Sequence, residues 1–362
     1  MALDRITLSD FRNHAATRLD GTRAFNLLFG ENGAGKTNVL EALSLLAPGR
    51  GLRRGALADM ARSGGSGGFA LSVALDRGDG GDAVRIGTGT HPHMPTRRLV
   101  QVNGAESAAI ALGEWLAVSW LTPAMDRLFM DSAGGRRRYM DRLALALDPA
   151  HARRASRYEA GLRERNRLLS GEAEPEAQWL DAIEAQMADS GAALASGRMA
   201  LVDQLTQALT SLPPEPFARP QLQYLPGGPF EREALLDSLR ASRRQDRAAR
   251  RSLTGPHRDE LEVAMAGKGM AAAQCSTGEQ KAMLLAMTLA HAELSRHGRP
   301  GILLLDEVAA HLDPVRREAL FERLRGGSVQ VWMTGTERAP FAAITGEAAL
   351  WRVSDGEVER TD

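Results

Sequence analysis

The chain has 362 residues, 43% of them hydrophobic and 25% charged, with 45 basic and 45 acidic side chains and zero formal net charge. That length and composition allow two or three structural units with a large core, and the balanced charge excludes a globally basic nucleic-acid signature. The single Cys275 excludes an intrachain disulfide framework and fits a reducing, cytoplasmic compartment. No apolar run approaches the ~18 residues of a membrane helix, and Met1–Asp10 has no signal pattern, so no membrane partner is expected.

In chain order, Leu3, Ile6 and Leu8 suggest a strand closed by Phe11–Arg12–Asn13–His14. Phe25–Phe29 is a short apolar run that reads as a buried strand, and Gly30–Glu31–Asn32–Gly33–Ala34–Gly35–Lys36–Thr37 follows it as G-x-x-x-x-G-K-T. The periodic apolar residues Val39, Leu40, Leu43 and Leu46 then predict a helix, which completes the strand–loop–helix context that a P-loop requires. The glycines let successive N–H groups turn inward towards an anion, and the helix start adds its positive dipole end. Lys36 suits the β- and γ-phosphates of ATP, and the Thr37 hydroxyl suits Mg²⁺. Lys36, Lys268 and Lys281 are the only lysines, so a compact point charge stands in the loop of an otherwise arginine-based chain.

Residues 50–67 read as a glycine- and arginine-rich connection. Phe69–Leu75, Ala83–Gly87 and Arg97–Val102 read as strands of an antiparallel patch, with turns at Gly78–Gly81 and Asn103–Gly104. Ala117–Leu121 is a further strand, stopped by Thr122–Pro123. From Gly134 the pattern becomes helical: a run to Leu147, then about 150–170, and 176–212 with Leu180, Ile183, Met187, Leu194, Leu201, Leu205, Leu209 and Leu212 in three- and four-residue steps. Pro213, Pro214, Pro216 and Pro220 end that helix, and one more is expected over Glu231–Arg251. The α/β pattern resumes with strands at Glu260–Met265, Gly301–Leu305, Val329–Met333 and Leu350–Val353, and helices at Gly278–His297 and Val315–Leu324. This divides the chain into 1–133, an inserted helical arm or lid over 134–252, and 253–362.

Gly301–Leu305 ends in Asp306–Glu307, acids at the carboxyl end of a buried strand, where open α/β sheets bind ligands. Asp306 suits Mg²⁺, and Glu307 suits polarising an attacking water. Ser276–Thr277–Gly278–Glu279–Gln280 opens a helix. It reads either as a second anion site or as a simple capping box of Ser276 with Glu279. Leu312–Asp313 precedes a proline-initiated helix.

The order of these motifs (G-x-x-x-x-G-K-T, S-T-G-E-Q, L-L-L-D-E, H-L-D) resembles the ABC ATPase superfamily, and the long insertion resembles its SMC-like branch. Within that branch the chain is similar to the RecF family. Leu8–Asn13, Gly134–Asp141, Thr254–Glu260 and Thr334–Thr336 carry that likeness, and it covers essentially the whole chain. The signature departs from L-S-G-G-Q, with Cys275 for leucine and Thr277–Gly278–Glu279 in place of the glycine pair. The transporter switch histidine is absent where Thr334 and Thr336 stand, and no glutamine sits at the strand end near Leu121–Pro123; Thr336 or Thr334 is the candidate γ-phosphate sensor.

The resemblance implies an α/β ABC-type P-loop ATPase head with an antiparallel subdomain. It implies that Ser276, Gly278, Gln280 and Asp313 join the nucleotide site, with Ser276 and Gly278 acting on ATP held by a second copy. A weak, DNA-stimulated ATPase follows, forming a homodimer with ATP and separating through Glu307. The expected partners are single-stranded, gapped or junction DNA together with RecR and RecO, in recombinational repair, replication restart and SOS induction. Candidate DNA contacts are Arg50, Arg53, Arg54, Arg136–Arg138, Arg243, Arg244, Arg247, Arg250 and Arg251. Rivals are another SMC-like ATPase of DNA metabolism or defence, or a transporter ATPase subunit.

Overall fold

The computed structural model describes residues 2–76, 81–173, 175–210, 216–309 and 312–362. The expected turn at Gly78–Gly80, the helix end at Leu212 and the prolines at 213 and 214 lie outside them. Two units each pack mainly within themselves: Met1–Asp126, Pro213–Phe217 and Leu284–Asp362 in the first, Arg127–Leu212 and Ala218–Met283 in the second.

The first unit begins β1 (Leu3–Phe11), β2 (His14–Asp20), β3 (Phe25–Phe29) and α1 (Lys36–Ser44). It continues with β4 (Phe69–Leu75), β5 (Val84–His91), β6 (Met94–Val102), β7 (Ala105–Glu106), α2 (Leu112–Trp115) and β8 (Ala117–Leu121). The second unit holds α3 (Ala133–Leu147), α4 (Ala150–Leu169), α5 (Ala177–Thr210), β9 (Pro220–Leu225), α6 (Arg232–Ala241), α7 (Arg243–Ala249), β10 (Glu260–Met265) and β11 (Met270–Ala271). The division falls within α8 (Thr277–Leu294). The first unit then adds β12 (Gly301–Leu305), α9 (Pro314–Gly326), β13 (Gln330–Gly335), β14 (Ala348–Ser354) and β15 (Glu357–Arg360).

The first unit contains two sheets. One has the order β15-β14-β3-β13-β12-β8, parallel except for β15, and the other is antiparallel with the order β2-β1-β4-β5-β6-β7. The apolar runs of β3 and β12 occupy interior positions of the parallel sheet, as strands covered on both faces must. β4 alternates buried and more exposed residues, as a sheet with one core face requires. Val39, Leu40 and Leu43 of α1 share one buried cluster with Ile6 and Leu8 of β1, Leu28 of β3 and Trp332 of β13.

In the second unit the predicted stripe of α5 is buried at Leu180, Met187, Leu194, Leu201, Leu205 and Leu209. Arg165 of α4 is fully buried beside it. Its guanidinium reaches Glu184 Oε1 (2.9 Å), Asp246 Oδ2 (2.6 Å), Ser252 Oγ (2.6 Å) and the carbonyl of Leu239 (2.8 Å). That last bond takes a carbonyl from the end of α6. The helix expected over Glu231–Arg251 accordingly divides at Ser242 into α6 and α7, and Arg250 follows α7 with φ 52°. Arg198 of α5 similarly joins Asp141, Asp259 and the carbonyl of Pro256. The strands β9, β10 and β11 form a separate antiparallel sheet within this unit.

Candidate nucleotide-binding site

The glycines of the P-loop have individual reasons to be glycine. Gly30 has φ 154°, and a Cβ there would stand 2.1 Å from the carbonyl oxygen of Val353. Gly35 has φ 116° and faces the side chains of Asn13 and His14. Lys36 is only 4% exposed, and its Nζ donates to the carbonyls of Gly30 and Glu31, both at 2.7 Å. Burial pulls its pKa down from the ordinary lysine value, while the charges of Glu307 and Asp306 act in the opposite sense. A cleft of about 390 Å³ is lined by Gly30–Ala34 and Arg352–Asp355.

The adjacent strands β3, β13 and β12 bring three chain segments together at their carboxyl ends. Thr37 Oγ1 donates to Asp306 Oδ1 at 2.8 Å, and Thr334 Oγ1 donates to the same oxygen at 2.8 Å. The Glu307 N–H in turn donates to Thr334 Oγ1 at 2.9 Å. Glu307 has φ 54°, a left-handed conformation that is costly for a non-glycine residue and held here by its neighbours. Of the two threonines considered for the phosphate sensor, Thr334 is buried in this network, whereas Thr336 is exposed.

Thr37 Oγ1 and Asp306 Oδ1 are hard oxygen donors, and their 2.8 Å separation is close to the edge of a Mg²⁺ octahedron, about 3 Å for bonds of about 2.1 Å. The pair would therefore suit Mg²⁺.

Ser276 and Glu279 form the capping box: the Ser276 N–H and hydroxyl each donate to Glu279 Oε2 at 2.9 Å, and the Glu279 N–H donates back to Ser276 Oγ at 3.3 Å. Lys268 adds a 2.6 Å contact to Glu279 Oε1, and these bonds hold the Glu279 carboxyl down at about 2. Ser276, Thr277 and Gly278 are nevertheless exposed. Gln280 is buried, its Nε2 donating to the Cys275 carbonyl at 2.9 Å. Asp313 caps α9 by accepting from the Arg316 N–H. The Ser276 segment belongs to the second unit, and Asp313 to the first.

Several arginines have structural partners that sequence position does not reveal. Arg53 reaches Asn38 Oδ1 and Glu41 Oε2, Arg136 pairs with Glu260, and Arg137 donates to the carbonyl of Asp259. Arg243 pairs with Asp181 and Glu184, and Arg247 reaches the carbonyls of Gly171–Ala173. Arg50, Arg54, Arg244, Arg250 and Arg251 are exposed and form no ion pair among the described residues.

Residues 2–350 match the family profile described as RecF/RecN/SMC N terminal domain. Together with the two-sheet fold, this defines the class as an ABC-type head of the SMC kind. DNA replication and repair protein RecF of Mesorhizobium japonicum (strain LMG 29417 / CECT 9101 / MAFF 303099) is 46% identical over 376 residues, spanning 99% of this chain and 98% of that one. RecF of Rhizobium leguminosarum bv. trifolii (strain WSM2304) is 46% identical over 372 residues, again at 99% and 98% coverage. A structure described as the recombination mediator protein RecF-ATPrS in the RecFOR pathway superposes with TM-score 0.88 over 99% of this chain and 98% of that one, at 23% identity. The Smc head domain from Pyrococcus furiosus shares the fold at TM-score 0.55 and 15% identity, over 99% of this chain and 96% of that one. The chain belongs to the RecF family and is a RecF-type DNA replication and repair protein.

Proposed function

We propose that the chain is an ATP-dependent DNA clamp of recombinational repair, also serving replication restart and SOS induction. The observation that carries this reading is the meeting of Lys36, Thr37, Asp306, Thr334 and Glu307 at the carboxyl ends of three neighbouring parallel strands. Residues 30–37 would cradle the phosphates, and Lys36 would exchange its loop carbonyls for β- and γ-oxygens. Thr37 and Asp306 would hold Mg²⁺, which supplies charge neutralisation when bound. Glu307 would accept the proton of the attacking water.

The exposed Ser276 and Gly278 support a role in trans. They form a helix start whose Ser276 hydroxyl and N–H would exchange Glu279 for the γ-phosphate held by a second copy, with Gln280 supporting the segment from within and Asp313 beside the joint. ATP would then join two copies, and hydrolysis would part them. DNA at gaps or single/double-strand junctions would be held through exposed arginines and would stimulate a slow ATPase. RecR- and RecO-type proteins are the expected partners, in the cytoplasm. No helix among the described residues is long and apolar enough to cross a membrane.

Sedimentation of the chain alone, with ATP, and with ATP and gapped DNA tests this reading. The expected result is an ATP-dependent dimer favoured by DNA, lost in Ser276→Arg and persistent in Glu307→Gln. A monomer under all three conditions would leave a P-loop ATPase without the clamp. A dimer indifferent to DNA would favour another SMC-like function.

A further inference from the structure

The P-loop is gripped from outside as well as from its own helix. Asn13 Nδ2 donates to the carbonyl of Ala34 at 2.9 Å, and the Gly356 N–H donates to that same oxygen at 2.9 Å. The next carbonyl, of Gly35, lies 3.0 Å from His14 Nε2. Asn13 Oδ1 also accepts from Asn38 Nδ2 at 2.7 Å, tying the β1–β2 turn to the first turn of α1. His14 is fully buried, with Nδ1 2.9 Å from Thr17 Oγ1.

These contacts have one directional effect. A P-loop binds an anion only while its N–H groups point inward, which requires the carbonyls to point out. Left alone, a loop with left-handed residues at Gly33 and Gly35 has many other conformations, and glycine has the most freedom to lose. Donors fixed on β1–β2 and on the β14–β15 turn hold two consecutive outward carbonyls. The buried His14 ring favours its neutral form, since burial pulls its pKa below the ordinary value. Its Nε2–H then donates to the Gly35 carbonyl, and Nδ1 faces the Thr17 hydroxyl, whose proton Nδ1 shares with the Gly356 carbonyl 3.3 Å from that oxygen.

We infer that Asn13 and His14 are positioning residues for nucleotide binding: they hold the carbonyls of Ala34 and Gly35 outward and so preset the phosphate cradle. The inference rests on the P-loop reading above. Neither side chain touches the phosphates in this role, so the effect falls on affinity through the loop.

Asn13→Asp keeps the shape but replaces a donor with a charge facing the Ala34 carbonyl. His14→Leu removes the donor to Gly35, whereas His14→Gln places an amide N–H near the position of Nε2. Binding of ATP to the full chain is measured by titration calorimetry, with circular dichroism reporting that each variant is folded. Asn13→Asp and His14→Leu are expected to bind about tenfold more weakly, the scale of one lost buried hydrogen bond, with His14→Gln within about twofold of the parent. The ATPase should show the change mainly in KM. Parental affinity in both Asn13→Asp and His14→Leu, or a loss in His14→Gln equal to that in His14→Leu, would overturn the inference. Should either disruptive variant not fold, Asn38→Ala, which frees Asn13 without burying a charge, is expected to weaken ATP binding by a few-fold, and no change there would be equally decisive. Failure of the unmodified chain to bind ATP, or undiminished binding by Lys36→Ala, would instead reject the P-loop reading.

Discussion

Thr334 of β13 and Thr37 of α1 donate to one and the same oxygen of Asp306, each at 2.8 Å. Thr334 also accepts the N–H of Glu307, so it fixes both acids at once. Thr334→Val is expected to lower ATP turnover about tenfold or more, because it leaves a buried carboxylate oxygen and an N–H each short of a partner. Thr334→Ser should retain most of the turnover. Steady-state ATPase assays decide the matter, and equal rates for the valine variant and the parent would remove Thr334 from the site.

Two of the P-loop glycines, Gly30 and Gly33, should respond differently to alanine. At Gly30 the new Cβ meets the backbone of Val353, which cannot swing aside; at Gly33 nothing lies within 4 Å and only the φ of 84° opposes it. Gly33→Ala should cost about 1 kcal/mol and keep measurable ATP binding, whereas Gly30→Ala should abolish it. Comparable affinities for the two variants would contradict the packing described for β14.

Arg165→Leu is expected to destabilise the chain by about 3–5 kcal/mol, since it leaves the buried Glu184 and Asp246 each without that partner. Chemical denaturation measures this loss. A change below about 1 kcal/mol would show that the pair of acids finds other partners, with Arg243 the nearest candidate.

Mild acid should weaken the fold through two of its histidines. Burial lowers the pKa of His14 and of His257, so both stay neutral in the folded chain while unfolded histidine takes up a proton near about pH 6.5. The unfolded state therefore binds more protons below that value, and stability falls as pH drops from about 6.5 through the lowered folded values. Asp141 and Asp148 are held below the ordinary carboxylate range by their partners and do not titrate in that window. The urea midpoint should fall between pH 7.5 and about pH 5.5, and less so in His257→Gln. An unchanged midpoint would mean that neither ring stays neutral in the folded chain.

For DNA, the arginines separate into two groups. Replacing Arg244, Arg250 and Arg251 with alanine should reduce the salt slope of binding by about 0.9 for each phosphate no longer neutralised and leave stability near the parent value. Arg243→Ala should act first on stability, because Glu184 and Asp181 lose a partner. An unchanged slope in the triple variant would move the DNA surface elsewhere, with Arg50 and Arg54 the next exposed pair.

Much of this was legible because it is local. The P-loop, the L-L-L-D-E strand and the α5 stripe each depend on residues within a few turns or a few strand positions of one another. β2 was not foreseen: His14–Asp20 has few apolar residues, and its strand character comes from pairing with β1. β9 was hidden by the proline run before it, and β15 followed a strand expected to be the last. The braces of the site were invisible for a stronger reason. Asn13 acts on a residue 21 positions away, and Gly356 acts on Ala34 from the far end of the sequence. Clustered arginines looked alike until folding gave some of them buried acids. No spacing rule records that distinction.

The place of β3 has a consequence for how the protein comes to exist. Its sheet neighbours are β13 and β14, drawn from Gln330–Ser354, some 300 residues downstream on the chain. During synthesis at about 5–20 residues per second, the strand that launches the P-loop waits on the order of tens of seconds for either partner. Until then it is an apolar strand with two open edges, a template for pairing with other chains. The nascent polypeptide is thus exposed to misassembly at the segment that launches the P-loop, and expression yield should depend on chaperone supply more than the stability of the finished fold would suggest.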